Sequence, residues 1–371
     1  MKRKRACTRG ACFTLLLGAA LAAGCGQGAG SAEVSCPASQ PGALQALEAE
    51  MDALLSQAES EVDFSFAVQR QDGRRYSFNR GSSTLRTSYE SKSASKLVSA
   101  VIIVRLAEQG YLALSGRPQQ FIGAWPIGGG DPLAAMTLAQ LLSFTSGLTD
   151  DPACLNDGGS DFEGCVLAIA STNAGNGSVP GQEFFYASSH LQVAGLMAVR
   201  ARGVASWQEI FAEFKAQTGL FPASSFDSPS LSNPNLAGGM HFTGDDYMGF
   251  LNALKGGLLL NPDSMSELLA DRTATIPMAY SPIRSGIGGG AGLGEDWHYG
   301  FGLWHECRSA TFNCVAGARV SSPGALGSYP FWDRSKGYSG IVVRAGAFGT
   351  LATGIAIERS VRATAEAWAA C

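Results

Sequence analysis

Residues 96–109 (KLVSAVIIVRLAEQ) are apolar nearly all round the helical wheel, and the run stops at Gly110. A helix with no polar face belongs inside a protein, and the glycine is its natural C-cap. The chain must therefore build a core large enough to enclose a helix. Its 371 residues, 46% of them hydrophobic, are sufficient for that. A chain of this length suits two domains, or one large core with an insertion. Only 16% of residues are charged, which excludes a disordered tail protein, and a formal charge of −4 argues against a nucleic-acid partner.

Around that helix the order of elements is α+β. Residues 43–59 place Leu44, Leu47, Met51, Leu54 and Leu55 at helical spacing. Residues 64–69 and 74–78 read as paired strands across Asp72-Gly73, a two-residue hairpin signal. Residues 116–270 read as helix and loop. Strand-like segments follow at 317–322, 326–332, 338–345 and 351–357, with a last helix at 360–369. This is not the alternating βαβ order of a parallel sheet. The glycine run 285–294 (SGIGGGAGLG) follows no strand and reads as a mobile loop rather than a nucleotide cradle.

The first 24 residues carry five basic residues and no acid, followed by an apolar run too short to span a bilayer. They read as a signal peptide. The run ends in Leu21-Ala22-Ala23-Gly24-Cys25, which resembles a bacterial lipoprotein cleavage site with Cys25 as the lipid-modified residue. Residues 25–42 then form a tether, and residues 43–371 the folded body. Removal of residues 1–24 leaves 347 residues with a formal charge of −9. Six cysteines remain beyond Cys25, an even number that implies disulfides in an exported chain. Proximity favours Cys154-Cys165 and Cys307-Cys314, leaving Cys36-Cys371. None has metal-site spacing with a histidine cluster, so no metal is expected.

Ser93-Ala94-Ser95-Lys96 is the sharpest chemical motif, placed where a polar segment enters the buried helix. Positions i and i+3 share a helix face, so Ser93 and Lys96 can meet. Burial favours neutral lysine, which can accept a serine proton. Taken alone, the pattern is explained equally well by a serine cap beside a solvated lysine.

The surroundings resemble serine β-lactamase-related hydrolases, a group that includes class C β-lactamases, D-alanyl-D-alanine peptidases and esterases. ESKSASKLVSAVIIVRLAEQGYLAL resembles the family's S-x-x-K helix, and MTLAQLLSFTSGL its helix ending in T-S-G-L. PGQEFFYASSHLQVAGLMA resembles its Tyr-x-Asn segment, NPNLAGGMHFTGDDYMGFLNAL its A-G-G-L helix, and YGFGLW its Y-G-x-G-W strand. SSPGALGSYPFWDRSKGYSGIVV resembles its final strand pair. The blocks run in family order over about residues 60–358.

That resemblance implies a β-lactamase/transpeptidase-like fold, an antiparallel sheet flanked by helices with a mainly helical insertion at about 116–270. It implies Ser93 as acyl-accepting nucleophile, Lys96 as its base and Tyr186 as a proton-transfer partner, with no cofactor. The backbone amides of Ser93 and Ala325 would form the oxyanion hole. The third family motif, Lys-Thr-Gly or His-x-Gly, corresponds to Ser322-Pro323-Gly324, so Ser322 and Gly324 are expected to bind substrate together with Ser188. Two departures stand out. Ser188 replaces the asparagine amide of Tyr-x-Asn, and Ser322 replaces a basic or imidazole group that would pair with a carboxylate. Both favour a neutral ester or amide over a β-lactam or stem peptide. Arg80, Arg86, Arg284 and Arg319 are the candidates to restore the charge from elsewhere.

Rival features are weaker. His298-Tyr299-Gly300 imitates His-x-Gly but sits inside the Y-G-x-G-W block. No G-x-S-x-G occurs, as a Ser-His-Asp hydrolase would usually carry. His190 reads as packing near the site, and Asp150-Asp151 and Asp245-Asp246 as caps or loop residues. The expectation is an exported, lipid-anchored serine hydrolase of the bacterial cell envelope, acting on a small-molecule or peptide substrate and tied to the membrane through Cys25. The alternatives are a D,D-peptidase or β-lactamase, and a catalytically weak binding lipoprotein of the same fold.

Overall fold

The first hairpin closes over three residues rather than the expected two. In the computed structural model, which describes residues 42–371, strands β1 (Phe64–Arg70) and β2 (Arg75–Asn79) pair antiparallel. A two-residue type I′ turn needs positive φ at both central residues, and here only Gly73 has it, at 90°. The chain instead bonds the Gly73 N–H to the Arg70 carbonyl, and the Asp72 carboxylate accepts the Arg74 N–H at 3.0 Å.

Before the hairpin lies helix α1 (Ala43–Gln57), which buries Met51 and Leu55 from its apolar stripe. Helix α2 (Ser95–Glu108) is the all-round apolar segment, and eleven of its fourteen residues are buried. Gly110 ends it in the left-handed conformation, φ 83°. Four long helices follow in the middle of the chain: α3 (Phe162–Asn173), α4 (Ser189–Arg202), α5 (Trp207–Thr218) and α6 (Gly244–Lys255). Strands β3 (His298–Tyr299), β4 (Trp304–His305), β5 (Arg319–Ser321), β6 (Tyr329–Asp333) and β7 (Tyr338–Arg344) complete the main sheet before the final helix α7 (Leu351–Ala370).

The sheet is antiparallel throughout, in the order β2-β1-β7-β6-β5-β4-β3, so the first strands meet the last. Successive strand residues point to opposite faces, which locates the helices. Arg70 Nη1 donates to the Trp368 carbonyl on α7, whereas its neighbour Gln69 accepts from Asn252 on α6. Helix α7, with α1 beside it, covers one face, and α6 covers the other. Leu97 of α2 shares an apolar pocket with Leu251 of α6, Val320 of β5 and Phe331 of β6. This mixed arrangement is the α+β, β-lactamase/transpeptidase-like architecture.

The segment 351–357, expected as a strand, is instead the first two turns of α7. Of the buried residues at the start of α7, Leu351, Gly354, Ile355, Glu358 and Val361 follow the helical period, with Ile357 buried beside them. Two smaller sheets support the cleft. Ser88–Glu90 pairs with Met240–Thr243, which also pairs with Ser225–Phe226, and Phe184–Phe185 runs parallel to Met278–Tyr280. Disulfides join Cys154 to Cys165 and Cys307 to Cys314, with Cα separations of 5.4 and 5.5 Å. The signal peptide, Cys25 and Cys36 (and with it the Cys36-Cys371 bridge) lie outside the described residues. Among the described residues, no helix is long and apolar enough to cross a membrane.

Candidate active site

Ser93 sits where strand becomes helix. The short strand Ser88–Glu90 ends at Ser91, whose N–H and Oγ both bond the backbone of Met240, at 2.8 and 3.2 Å. A single 3-10 turn, Lys92–Ala94, then leads into α2, with Lys92 in the left-handed region at φ 42°. That turn presents Ser93 at the floor of a cleft of about 210 Å³. One helical turn on, Lys96 Nζ donates to Ser93 Oγ at 3.0 Å and to the Ala237 carbonyl at 2.7 Å. Lys96 is only 3% exposed. Burial pushes its pKa down to about 7, against the opposing pull of the Asp151 carboxylate. A large neutral fraction near pH 7 leaves a lone pair beside the serine hydroxyl.

Tyr186 closes the third side. Its N–H bonds the Tyr280 carbonyl at 3.2 Å, and its ring stacks on Trp304 at 5.3 Å and leans on Phe144 at 5.5 Å. Lys96 Nζ lies 4.7 Å from the Tyr186 ring centroid. Burial raises the phenol's pKa well above its ordinary value, while hydrogen bonding with Ser93 and Trp304 pulls the other way. The hydroxyl is thus a protonated donor at neutral pH.

Ala325 lines the cleft with Ser93. Its carbonyl accepts the Gly349 and Thr350 N–H groups at 2.9 and 3.0 Å, and its own N–H has no acceptor among the described residues. Gly324 sets the distance between this loop and the serine turn, because a Cβ there would stand 2.3 Å from the Ser91 carbonyl oxygen. Gly324→Val is therefore expected to push the two segments apart. It should lower stability by about 1–3 kcal/mol, as overpacking does, and reduce any Ser93-dependent turnover. Thermal melts alongside an ester assay check this, and a variant with native activity would rule the close approach unimportant.

Other expected site residues take different positions. Ser322 is buried behind the cleft, where its Oγ donates to the Ser93 carbonyl at 2.9 Å and the Gly302 carbonyl at 3.4 Å. It ties β5 to the serine turn rather than facing solvent. Ser188 does line the cleft, with its backbone N–H on the Asp151 carboxylate. None of the four arginines lines the cleft. Arg80 holds the carbonyls of Ala58, Ser60 and Val62, and Arg284 pairs with Asp296. Arg319 is buried among Glu306, Asp333 and Glu358, and Arg86 is exposed beside Asp245. His190 packs between Ser146 and the Phe185 carbonyl, stacked 4.7 Å from Phe144, and burial lowers its pKa to about 4. His298 pairs with Asp271 and stacks on Phe312, outside the cleft.

Asp245 pairs with Arg75, and Asp246 accepts the Ala223 N–H and Ser224 hydroxyl, as cap and loop residues would.

Several cleft residues were not singled out by the sequence. Lys92, adjacent to Ser93, lines the cleft and is ion-paired with Glu90. Asp151, expected from sequence as a cap or loop residue, is both a cap for α4 and part of the cleft wall. The glycine run supplies Ile287 to that wall, facing the cleft beside Phe348. Its glycines permit close packing, since a Cβ on Gly290 would stand 1.9 Å from the Gly349 carbonyl oxygen. Among the described residues, no cluster of three His, Cys, Asp or Glu side chains is placed to hold a metal ion.

A sequence model of the Beta-lactamase family matches residues 65–355. Comparison with curated proteins finds no match. Several solved structures match over nearly their whole lengths. A candidate beta-lactamase from Bacteroides dorei superposes with TM-score 0.67 at 22% identity, covering 86% of this chain and 99% of that one. The hydrolase EstCE1, described with promiscuous acyltransferase activity, gives 0.65 at 17% identity over 88% and 99%. A penicillin-binding protein from Bacillus halodurans gives 0.61 at 18% identity over 85% and 98%. These likenesses carry the fold.

Proposed function

Because the chain belongs to the Beta-lactamase family, whose folds serve serine hydrolases, we propose that it is a hydrolase acting through an acyl-enzyme on Ser93. The observation that carries this is the 3.0 Å contact between Ser93 Oγ and the buried Lys96 Nζ. Neutral Lys96 takes the hydroxyl proton as Oγ attacks a carbonyl carbon. The Ser93 and Ala325 N–H groups hold the resulting oxyanion, and Tyr186 donates a hydrogen bond at the nucleophile. Collapse breaks the bond to the leaving group, which receives the proton through Lys96 or Tyr186. Water then repeats the sequence on the ester of Ser93, releasing the acid and restoring the serine.

The preferred substrate is a small ester or amide, including peptides, without a carboxylate beside the scissile bond. The absence of any arginine among the cleft-lining residues and the inward turn of Ser322 support this over a β-lactam or stem-peptide substrate. Export and a lipid on Cys25 complete the reading, placing the enzyme in the cell envelope, and the two disulfides are consistent with export.

A fluorescent phosphonate, a fluorescent penicillin, a short-chain ester and a chromogenic cephalosporin test it on the purified mature protein. Phosphonate labelling mapped to Ser93, with ester turnover exceeding cephalosporin turnover, is expected. Strong cephalosporin hydrolysis would overturn the ester preference, and labelling elsewhere would overturn the nucleophile.

A further inference from the structure

The charges in the cleft do not balance evenly. Three charged side chains line it: Lys92, Lys96 and Asp151. Lys92 is already ion-paired with Glu90, and Lys96 is buried at the serine. Asp151 is exposed and has no ion-pair partner among the described residues.

Its carboxylate is nevertheless held firmly. Oδ1 accepts the Ser188 N–H at 3.0 Å, the Ser189 N–H at 2.8 Å and the Ser189 hydroxyl at 2.7 Å. Oδ2 accepts only the Ser188 N–H, at 2.9 Å. The single Ser188 N–H is shared between the two oxygens, and Oδ2, which has no other donor, is the one with room to accept from a ligand. Ser188, the residue at the family's amide position, thus lends its N–H to orient an anion at the cleft wall.

Building on the Ser93 hydrolase reading, we propose that the acyl part of the substrate carries an ammonium group, which Asp151 Oδ2 accepts. The class is amino esters, amino amides or peptides with a free amine. A carboxylate-bearing acyl group meets repulsion in the same place, whereas an ammonium forms a charge-assisted hydrogen bond. Lys92 does not cancel this preference, because Glu90 already takes its charge.

Three benzyl esters of nearly equal size separate the possibilities: β-alanyl, butanoyl and succinyl, with an ammonium, a methyl and a carboxylate at one end. Release of benzyl alcohol by the mature protein gives kcat/KM for each. The expected order is β-alanyl over butanoyl by about tenfold or more, with succinyl lowest. Asp151→Asn retains an acceptor for the Ser188 and Ser189 N–H groups but removes the charge. It should bring the β-alanyl to butanoyl ratio close to one, and high salt should narrow that ratio in the wild type. If Asp151 only caps the helix, the variant lowers all three rates together and the ratio stays fixed, which overturns the proposal. A wild-type ratio near one, with butanoyl turnover abolished in Ser93→Ala, overturns it while leaving the hydrolase intact. No turnover of any ester overturns both.

Discussion

Ser93→Ala will reduce ester turnover by about 10³–10⁶-fold and abolish phosphonate labelling, while the melting temperature stays close to that of the wild type. The size of the effect follows from what the hydroxyl does. It accepts the hydrogen bond that Lys96 Nζ donates at 3.0 Å and bonds with the Tyr186 hydroxyl. The backbone of the serine turn is secured independently, by Ser322 on the Ser93 carbonyl and by Ser91 on Met240. Removing one oxygen therefore deletes the proposed nucleophile without loosening the turn that presents it. Lys96 keeps the Ala237 carbonyl at 2.7 Å, so its ammonium or amine does not lose every partner. A stability change within about 1 kcal/mol is expected, the usual scale of a neutral side-chain hydrogen bond. Circular dichroism and thermal melts establish that the fold persists, and activity and labelling then report on chemistry alone. Retained turnover in a folded Ser93→Ala protein would remove Ser93 from the mechanism.

Local signals carried much of this architecture. The all-round apolar run, the hairpin alternation and the short-range cysteine pairs each depend on neighbours in sequence, and each appears in the structure. What local pattern missed was decided by distant packing. Residues 351–357 alternate well enough to suggest a strand, but burial against the sheet follows the 3.6-residue period. The serine–lysine pair was visible because three residues on a helix are neighbours in space. Asp151 was not, since its position is set by the start of α4, nearly forty residues later, and by the loop that carries it to the cleft. Ser322 shows the converse. Its place in a family motif suggested a substrate contact, yet only tertiary structure could reveal that its hydroxyl is already used by Ser93 and Gly302 backbone oxygens.

Lys96→Met is expected to destroy activity and raise stability in the same protein. A lysine whose pKa falls from its usual 10.5 to about 7 on folding binds its proton less tightly in the native state. Below about pH 7 both states are protonated and the penalty is at full size. Between pH 7 and 10.5 the unfolded chain holds more protons, so stability rises with pH across that window. Above it, both states are neutral and the penalty has gone. A depression of this size corresponds to roughly 5 kcal/mol at the acid end. Methionine fills similar volume without charge, but it leaves the buried Ala237 carbonyl without the 2.7 Å lysine donor, a loss of about 1–3 kcal/mol. The net gain should be about 2–4 kcal/mol below pH 7, shrinking and then reversing toward pH 10.5. Turnover should fall about 10³-fold, because no neutral amine remains to take the Ser93 proton. Wild-type kcat/KM should correspondingly rise with pH through about 7 as Lys96 loses its proton. Melting curves from pH 6 to 10 for both proteins, with a wild-type pH–rate profile, measure all three effects. A stability gap that does not narrow with pH would mean that Lys96 is not carrying this charge penalty. An activity limb far from 7 would assign proton transfer to another group, with Tyr186 the next to test.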